Sequence, residues 1–103
     1  MAYNEKLVNR LDSVIKRKKG FVKMKMFGGV GIFQNGTMCG IVDSSGRLFL
    51  RAGAGNRAMF EAAGSERHGK MPYFSVPDAV RDDAGLLRDW AKASATAARE
   101  AKK

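Results

Sequence analysis

Across 103 residues the sequence has one cysteine, one histidine and two prolines. A lone thiol, Cys39, cannot close an internal disulfide, which argues against a secreted scaffold stapled by bridges. One histidine and one cysteine cannot complete a zinc site without recruiting several carboxylates, so no metal or other cofactor is expected. No apolar run approaches the roughly 20 residues needed to cross a bilayer. Met1 to Arg10 also lacks the apolar stretch of a signal peptide. The expectation is a cytoplasmic protein with no membrane partner. Repeats, low-complexity tracts and linker-like stretches are absent as well, so residues 1–103 read as a single domain.

Acidic residues are also scarce. Ten Asp and Glu stand against 19 Lys and Arg, for a formal net charge of +9 and a pI near 10.1. The surplus is uneven: residues 1–25 hold eight bases against Glu5 and Asp12, six of the nine surplus charges. Lys16, Arg17, Lys18, Lys19, Lys23 and Lys25 concentrate it where one element ends and the next begins. Such a cluster attracts nucleic acid, an anionic lipid surface or an acidic protein over long range. It serves equally well as a solvated face that keeps the chain soluble. No zinc finger, RNP aromatic motif or helix-turn-helix pattern supplies base-specific contacts.

Hydrophobic residues make up 45% of the chain, enough for a modest continuous core, and their spacing assigns the elements. Tyr3, Leu7, Val8, Leu11, Val14 and Ile15 recur at helical intervals, and Lys16 to Lys19 complement the dipole in the last turn. Gly20 supplies the left-handed stop. The period then falls to two. In Val22-Lys23-Met24-Lys25-Met26 the apolar residues share a face expected to point inward, with Lys23 and Lys25 outward. Further strands are expected at 30–33, 37–42, 47–51 and 73–76. Asn35-Gly36 is a strong hairpin signal, because both turn residues take positive φ. Asp43 to Gly46 makes another turn, and connections this short permit only an antiparallel meander.

Asn56 is the expected N-cap of a short helix through Ala63, closed by Gly64. Pro72 and Pro77 flank the fifth strand, which suits an edge or strand-end position. Asp82 or Asp83 caps a final helix whose inner stripe is Leu86, Leu87, Trp90, Ser94, Ala97 and Ala101. The order is α-β-β-β-β-α-β-α. It predicts an α+β fold, one antiparallel sheet of about five strands with helices mainly on one face.

Gly53-Ala54-Gly55-Asn56-Arg57-Ala58 fits the G-x-G-x-x-A pattern, in which glycines admit a pyrophosphate to a helix N-terminus. The strand before it belongs to a meander rather than a βαβ unit, so an ordinary strand-to-helix connection explains the residues as well. The version that survives is a small-anion or nucleotide site, or an enzyme built on one, at Arg51, Gly53, Gly55 and Arg57. A nucleophilic Cys39 would need a base, and His68 lies in a loop with no specified geometry. A strand cysteine is more simply a small buried hydrophobe. Asp78, Asp82 and Asp83 are spaced as turn and cap residues. Met24, Met26, Met38, Met59 and Met71 would suit a soft metal or an adaptable surface, although such methionines more often fill cores. The chain reads as a binding protein, not an enzyme.

Lys25-Met26-Phe27-Gly28-Gly29-Val30-Gly31-Ile32-Phe33, followed by Asn35-Gly36, resembles the amino-terminal domain of the TfoX/Sxy family of bacterial competence regulators. Ala2 to Val8, Leu48-Phe49-Leu50-Arg51, Met71-Pro72-Tyr73-Phe74 and Leu86-Leu87-Arg88-Asp89-Trp90 are similar too, so the resemblance covers nearly the whole chain. It implies an α+β fold with an antiparallel sheet and a non-enzymatic role in transcription, assisting a sequence-specific activator at competence promoters. Those regulators carry a second, helical domain, and the family brings no catalytic residues to transfer. The combined expectation is a regulatory binding module whose basic N-terminal face contacts a protein partner or nucleic acid. A homodimer through an exposed sheet edge is a further reading.

Overall fold

The computed structural model describes residues 21–26 and 29–102. Five strands, β1 (Phe21–Met26), β2 (Gly29–Gln34), β3 (Thr37–Val42), β4 (Leu48–Arg51) and β5 (Tyr73–Ser75), form one sheet in that order. All four pairings are antiparallel. Three helices accompany them among the described residues: α1 (Arg57–Ala62), α2 (Asp78–Arg81) and α3 (Ala84–Lys102). This is the α+β meander the turns demand. Asn35 and Gly36 have φ of 50° and 83°, both positive as the β2–β3 hairpin requires. In the β3–β4 turn, Asp43 Oδ1 accepts the Ser45 and Arg47 amides and the Ser45 hydroxyl. The helix expected over Tyr3 to Lys19 lies outside the described residues.

The core lies between α3 and one face of the sheet. Val30, Ile32, Val42, Leu48 and Leu50 come from the strands, and Leu87, Trp90, Ala91, Ala95 and Ala98 from the helix. Alanines let the helix axis settle close to the sheet, and the loop after β4 follows it. A Cβ placed on Gly53 would stand 3.0 Å from the Ala97 Cβ. Phe60, fully buried on α1, stacks on Phe74 at 5.6 Å and meets Trp90 edge-on at 5.1 Å. In β3 the register slips: Ile32 faces Gly40 and Phe33 faces Met38, so Cys39 is the extra residue of a bulge.

Three expectations need correction. Register places Lys23 opposite Ile32 and Lys25 opposite Val30, on the core side of the sheet, with Val22 and Met24 on the other side. Val22 and Met24 are each 56% exposed. Alternation shows which residues share a face, but hairpin register decides which way that face points. On α3 the buried stripe is Leu87, Trp90, Ala91, Ser94, Ala95, Ala97 and Ala98, so Leu87, Trp90, Ser94 and Ala97 stand as expected, while Leu86 is 44% exposed and Ala101 is exposed. Asp83 sets this phase: its Oδ1 accepts the Leu86 amide at 3.0 Å, and its carbonyl accepts that of Leu87. The third correction is the separate turn α2, which Pro77 starts and whose Arg81 pairs with Asp78 and Asp82.

Ser94 is fully buried on α3, and its hydroxyl has no hydrogen-bond partner among the described residues. Desolvating an unpaired hydroxyl costs about 1–3 kcal/mol, and alanine is also the better helix former. Ser94→Ala is therefore expected to stabilise the chain by about 1 kcal/mol, visible as a higher urea midpoint at an unchanged slope.

Candidate functional site

Of the basic cluster, Lys23 and Lys25 are exposed on β1, while Lys16, Arg17, Lys18 and Lys19 lie outside the described residues. Their register puts Lys23 and Lys25 on the helix-bearing side of the sheet rather than on its open face.

The Gly53 to Arg57 loop is closed upon itself. Asn56, 5% exposed, accepts the Gly53 amide on Oδ1 at 2.7 Å and donates from Nδ2 to the Arg51 carbonyl at 2.9 Å. It stands before α1 as expected, yet its side chain makes no capping bond to that helix. The Arg57 amide bonds the Gly53 carbonyl, and the Arg57 side chain sits near Glu61 and the Phe74 ring. Arg51 lies over the Tyr73 ring at 5.7 Å, its Nε buried without a hydrogen-bond partner among the described residues. The glycine pattern thus serves packing against Ala97 and an asparagine-locked turn. The Gly53 amide, already bonded to Asn56, is not offered to an anion.

Cys39 sits fully buried in the bulge, and burial pushes its thiol up to about 12, a backbone hydrogen bond offsetting this only in part. His68 is held elsewhere, its ring edge-on to Phe49 at 4.5 Å. Since the thiolate is the reactive form, an alkylating reagent at pH 8 is expected to leave the native chain unmodified. Modification should be at least roughly 100-fold faster once denaturant unfolds it, as mass spectrometry would show. Among the described residues no cluster of three or more His, Cys, Asp or Glu is placed to hold a metal.

The feature that sequence reasoning missed is the sheet face opposite α3. Across it run two rows, Met24–Gly31–Ile41–Phe49 and Val22–Phe33–Met38. The Phe49 end is roofed by residues 66–71, which are bound to β5. The Ser75 amide donates to the Glu66 carbonyl and that of His68 to Tyr73, each at 2.8 Å. Arg67 folds the segment's end by donating to the carbonyls of Met71 and Lys70. Tyr73, nearly buried, reaches its hydroxyl to the Met38 carbonyl at 3.2 Å. Burial raises the Tyr73 phenol above its ordinary range, against the opposing effect of Arg51.

The roof stops short of Ile41. An open cavity of about 450 Å³ remains, with Met38 and Ile41 among its apolar walls and Met71 and His68 on the roof side. Asp43 and Ser44 stand at the β3–β4 turn. Burial alone would raise the Asp43 carboxyl, but hydrogen bonds from Ser45 and Arg47, with the nearby His68, hold it below the usual range. Of the four methionines with described side chains only Met59, half-buried, packs against the core; Met38 is half-buried, and Met24 and Met71 are exposed. Period two suggests burial; among the described residues the helices lie on one side of the sheet, and Met24 and Met38 face the other.

Among the described residues no helix is long and apolar enough to cross a membrane. A family model described as the TfoX N-terminal domain matches residues 14–98. One relative is the DNA transformation protein TfoX1 of Aliivibrio fischeri, 41% identical over 61 residues. That stretch is 59% of this chain and 29% of the relative, so less than a third of the relative's length is spanned.

Proposed function

Because the chain belongs to the TfoX N-terminal domain family, we propose that it is a regulatory binding module of the machinery that governs DNA transformation. In this reading it acts without catalysis, in the cytoplasm, as a 103-residue domain that contacts nucleic acid or a protein partner. The observation that carries the reading is the family match over residues 14–98. The charge distribution supports a basic contact face made of Lys16, Arg17, Lys18, Lys19, Lys23 and Lys25. A buried, deprotonation-resistant Cys39 and a glycine loop closed by Asn56 agree with a role that needs no nucleophile or nucleotide.

The test is duplex DNA binding by the whole chain, followed by anisotropy across a salt series. Counterion release predicts a linear fall of log affinity with log salt, and replacing Lys16 to Lys19 by glutamine should cut the slope by roughly 3–4. Affinity indifferent to both would end the nucleic-acid version. A nuclease-treated pull-down would then separate a protein partner from nucleic-acid carry-over.

A further inference from the structure

We propose that the cavity between β3 and residues 66–71 receives an apolar side chain from an acidic segment of a partner protein. This rests on the binding-module reading above but uses a different side of the sheet from Lys23 and Lys25.

The cavity is ligand-sized, and it does not end at its rim. Met71 is 39% exposed at its edge, and Met24 and Val22, each 56% exposed, extend the apolar surface along the neighbouring strands. A strip of this length fits an extended or helical segment better than a free small molecule, which would leave most of it bare. Met38, Met71 and Met24 give it thioether side chains that adapt to an incoming apolar group. Among the described residues no Phe, Tyr or Trp lines the cavity as a platform for a nucleobase, and the His68 ring is engaged edge-on with Phe49.

Charge identifies the occupant. Of the nearby anions, Glu66 is paired with Arg47, while Asp43, whose Oδ1 accepts the Ser45 and Arg47 amides and the Ser45 hydroxyl, keeps its charge at the β3–β4 turn. Arg67 and Lys70, on the segment that carries His68 and Met71, have no carboxylate partner among the described residues. A partner that sets carboxylates beside Arg67 and Lys70, and away from Asp43, completes the pattern. A second copy of a chain with net charge +9 would meet repulsion instead.

The experiment uses the whole chain with carbon-13 methionine methyl labels and a short synthetic peptide of leucines flanked by glutamates. The Met38 and Met71 methyl signals should move saturably, while that of Met59, packed on the helix side, stays in place. Affinity should fall about tenfold with alanine for leucine in the peptide, and again in Met71→Glu, where charge meets charge. Equal shifts with a lysine-for-glutamate peptide overturn the proposal, as does the absence of any shift. Shifts at Met38 and Met71 that follow the protein's own concentration overturn it in favour of a second copy. The same shifts produced by duplex DNA overturn it in favour of nucleic acid. DNA binding retained with motionless methyls sinks this site alone, whereas methyl shifts without DNA or partner binding through Lys16 to Lys25 sink the basic face and leave this site standing.

Discussion

Phe60→Ala is expected to destabilise the chain by about 3–5 kcal/mol, the largest loss for any single truncation argued from this core. The ring is fully buried and touches two others, Phe74 in a stack and Trp90 at its edge. Aromatic pairs of this geometry add to the burial of area. α1 has six residues and no side-chain cap, so Phe60 is also what anchors it. Too short to hold itself together, it depends on that anchor. For a chain of this length the loss corresponds to a melting temperature roughly 15–30 °C lower. Trp90 is the sole tryptophan, so its fluorescence reports the same site without a label. Phe60→Leu, which keeps most of the volume, should cost less than about 1.5 kcal/mol. A loss under 1 kcal/mol in the alanine variant would mean that α1 is held by something other than this ring.

Gly29→Ala is expected to cost about 3 kcal/mol, for the opposite reason: there is no room. A Cβ on Gly29 would overlap the Val42 carbonyl oxygen and lie 3.2 Å from Asp43 Cα. Both obstacles are backbone, so no side chain can swing aside, and β2 must move relative to β3. Gly55→Ala is the matched control, since a Cβ there meets nothing within 4 Å. It should be neutral or stabilising by about 0.5 kcal/mol through the unfolded chain. Urea unfolding of the pair separates close approach from mere glycine content. If both variants behave alike, Gly29 is not where the two strands press together.

That Val42 and Asp43 press on Gly29 comes from the β2–β3 pairing, which the Gly28-Gly29 pair does not announce. The hairpin at Asn35-Gly36, the meander and the class of the fold follow from local turn chemistry, which is why they could be read from residues alone. Leu86 and Leu87 show where that reading stops. Both fit an apolar stripe, and only the position of the Asp83 cap, a one-residue matter, decides that Leu87 is buried and Leu86 is not. Val22 and Met24 show the same limit in a strand. Their shared face was correct and its direction inverted, because direction depends on pairing with β2 and on which side the helices lie. The cavity was beyond reach for a related reason. It is built from β3, the β3–β4 turn and residues 66–71, and nothing in the sequence announces that Met38 and Met71 meet. The methionines were the one available signal, and they were ambiguous between filling a core and lining a surface.

Strand order in the sheet equals strand order in the chain, and this bears on how the molecule assembles. β1 to β4 are joined by connections of two, two and five residues, whereas β5 is reached only after residues 52–72. Loop-closure entropy is small for the first three pairings and largest for the last, which rewards the chain with only three residues of ladder. The 66–71 segment is fastened to the sheet through that ladder. It is thus the last part of the sheet to gain its contacts and the part that opens at least cost, a hinged wall on an otherwise locally knitted sheet.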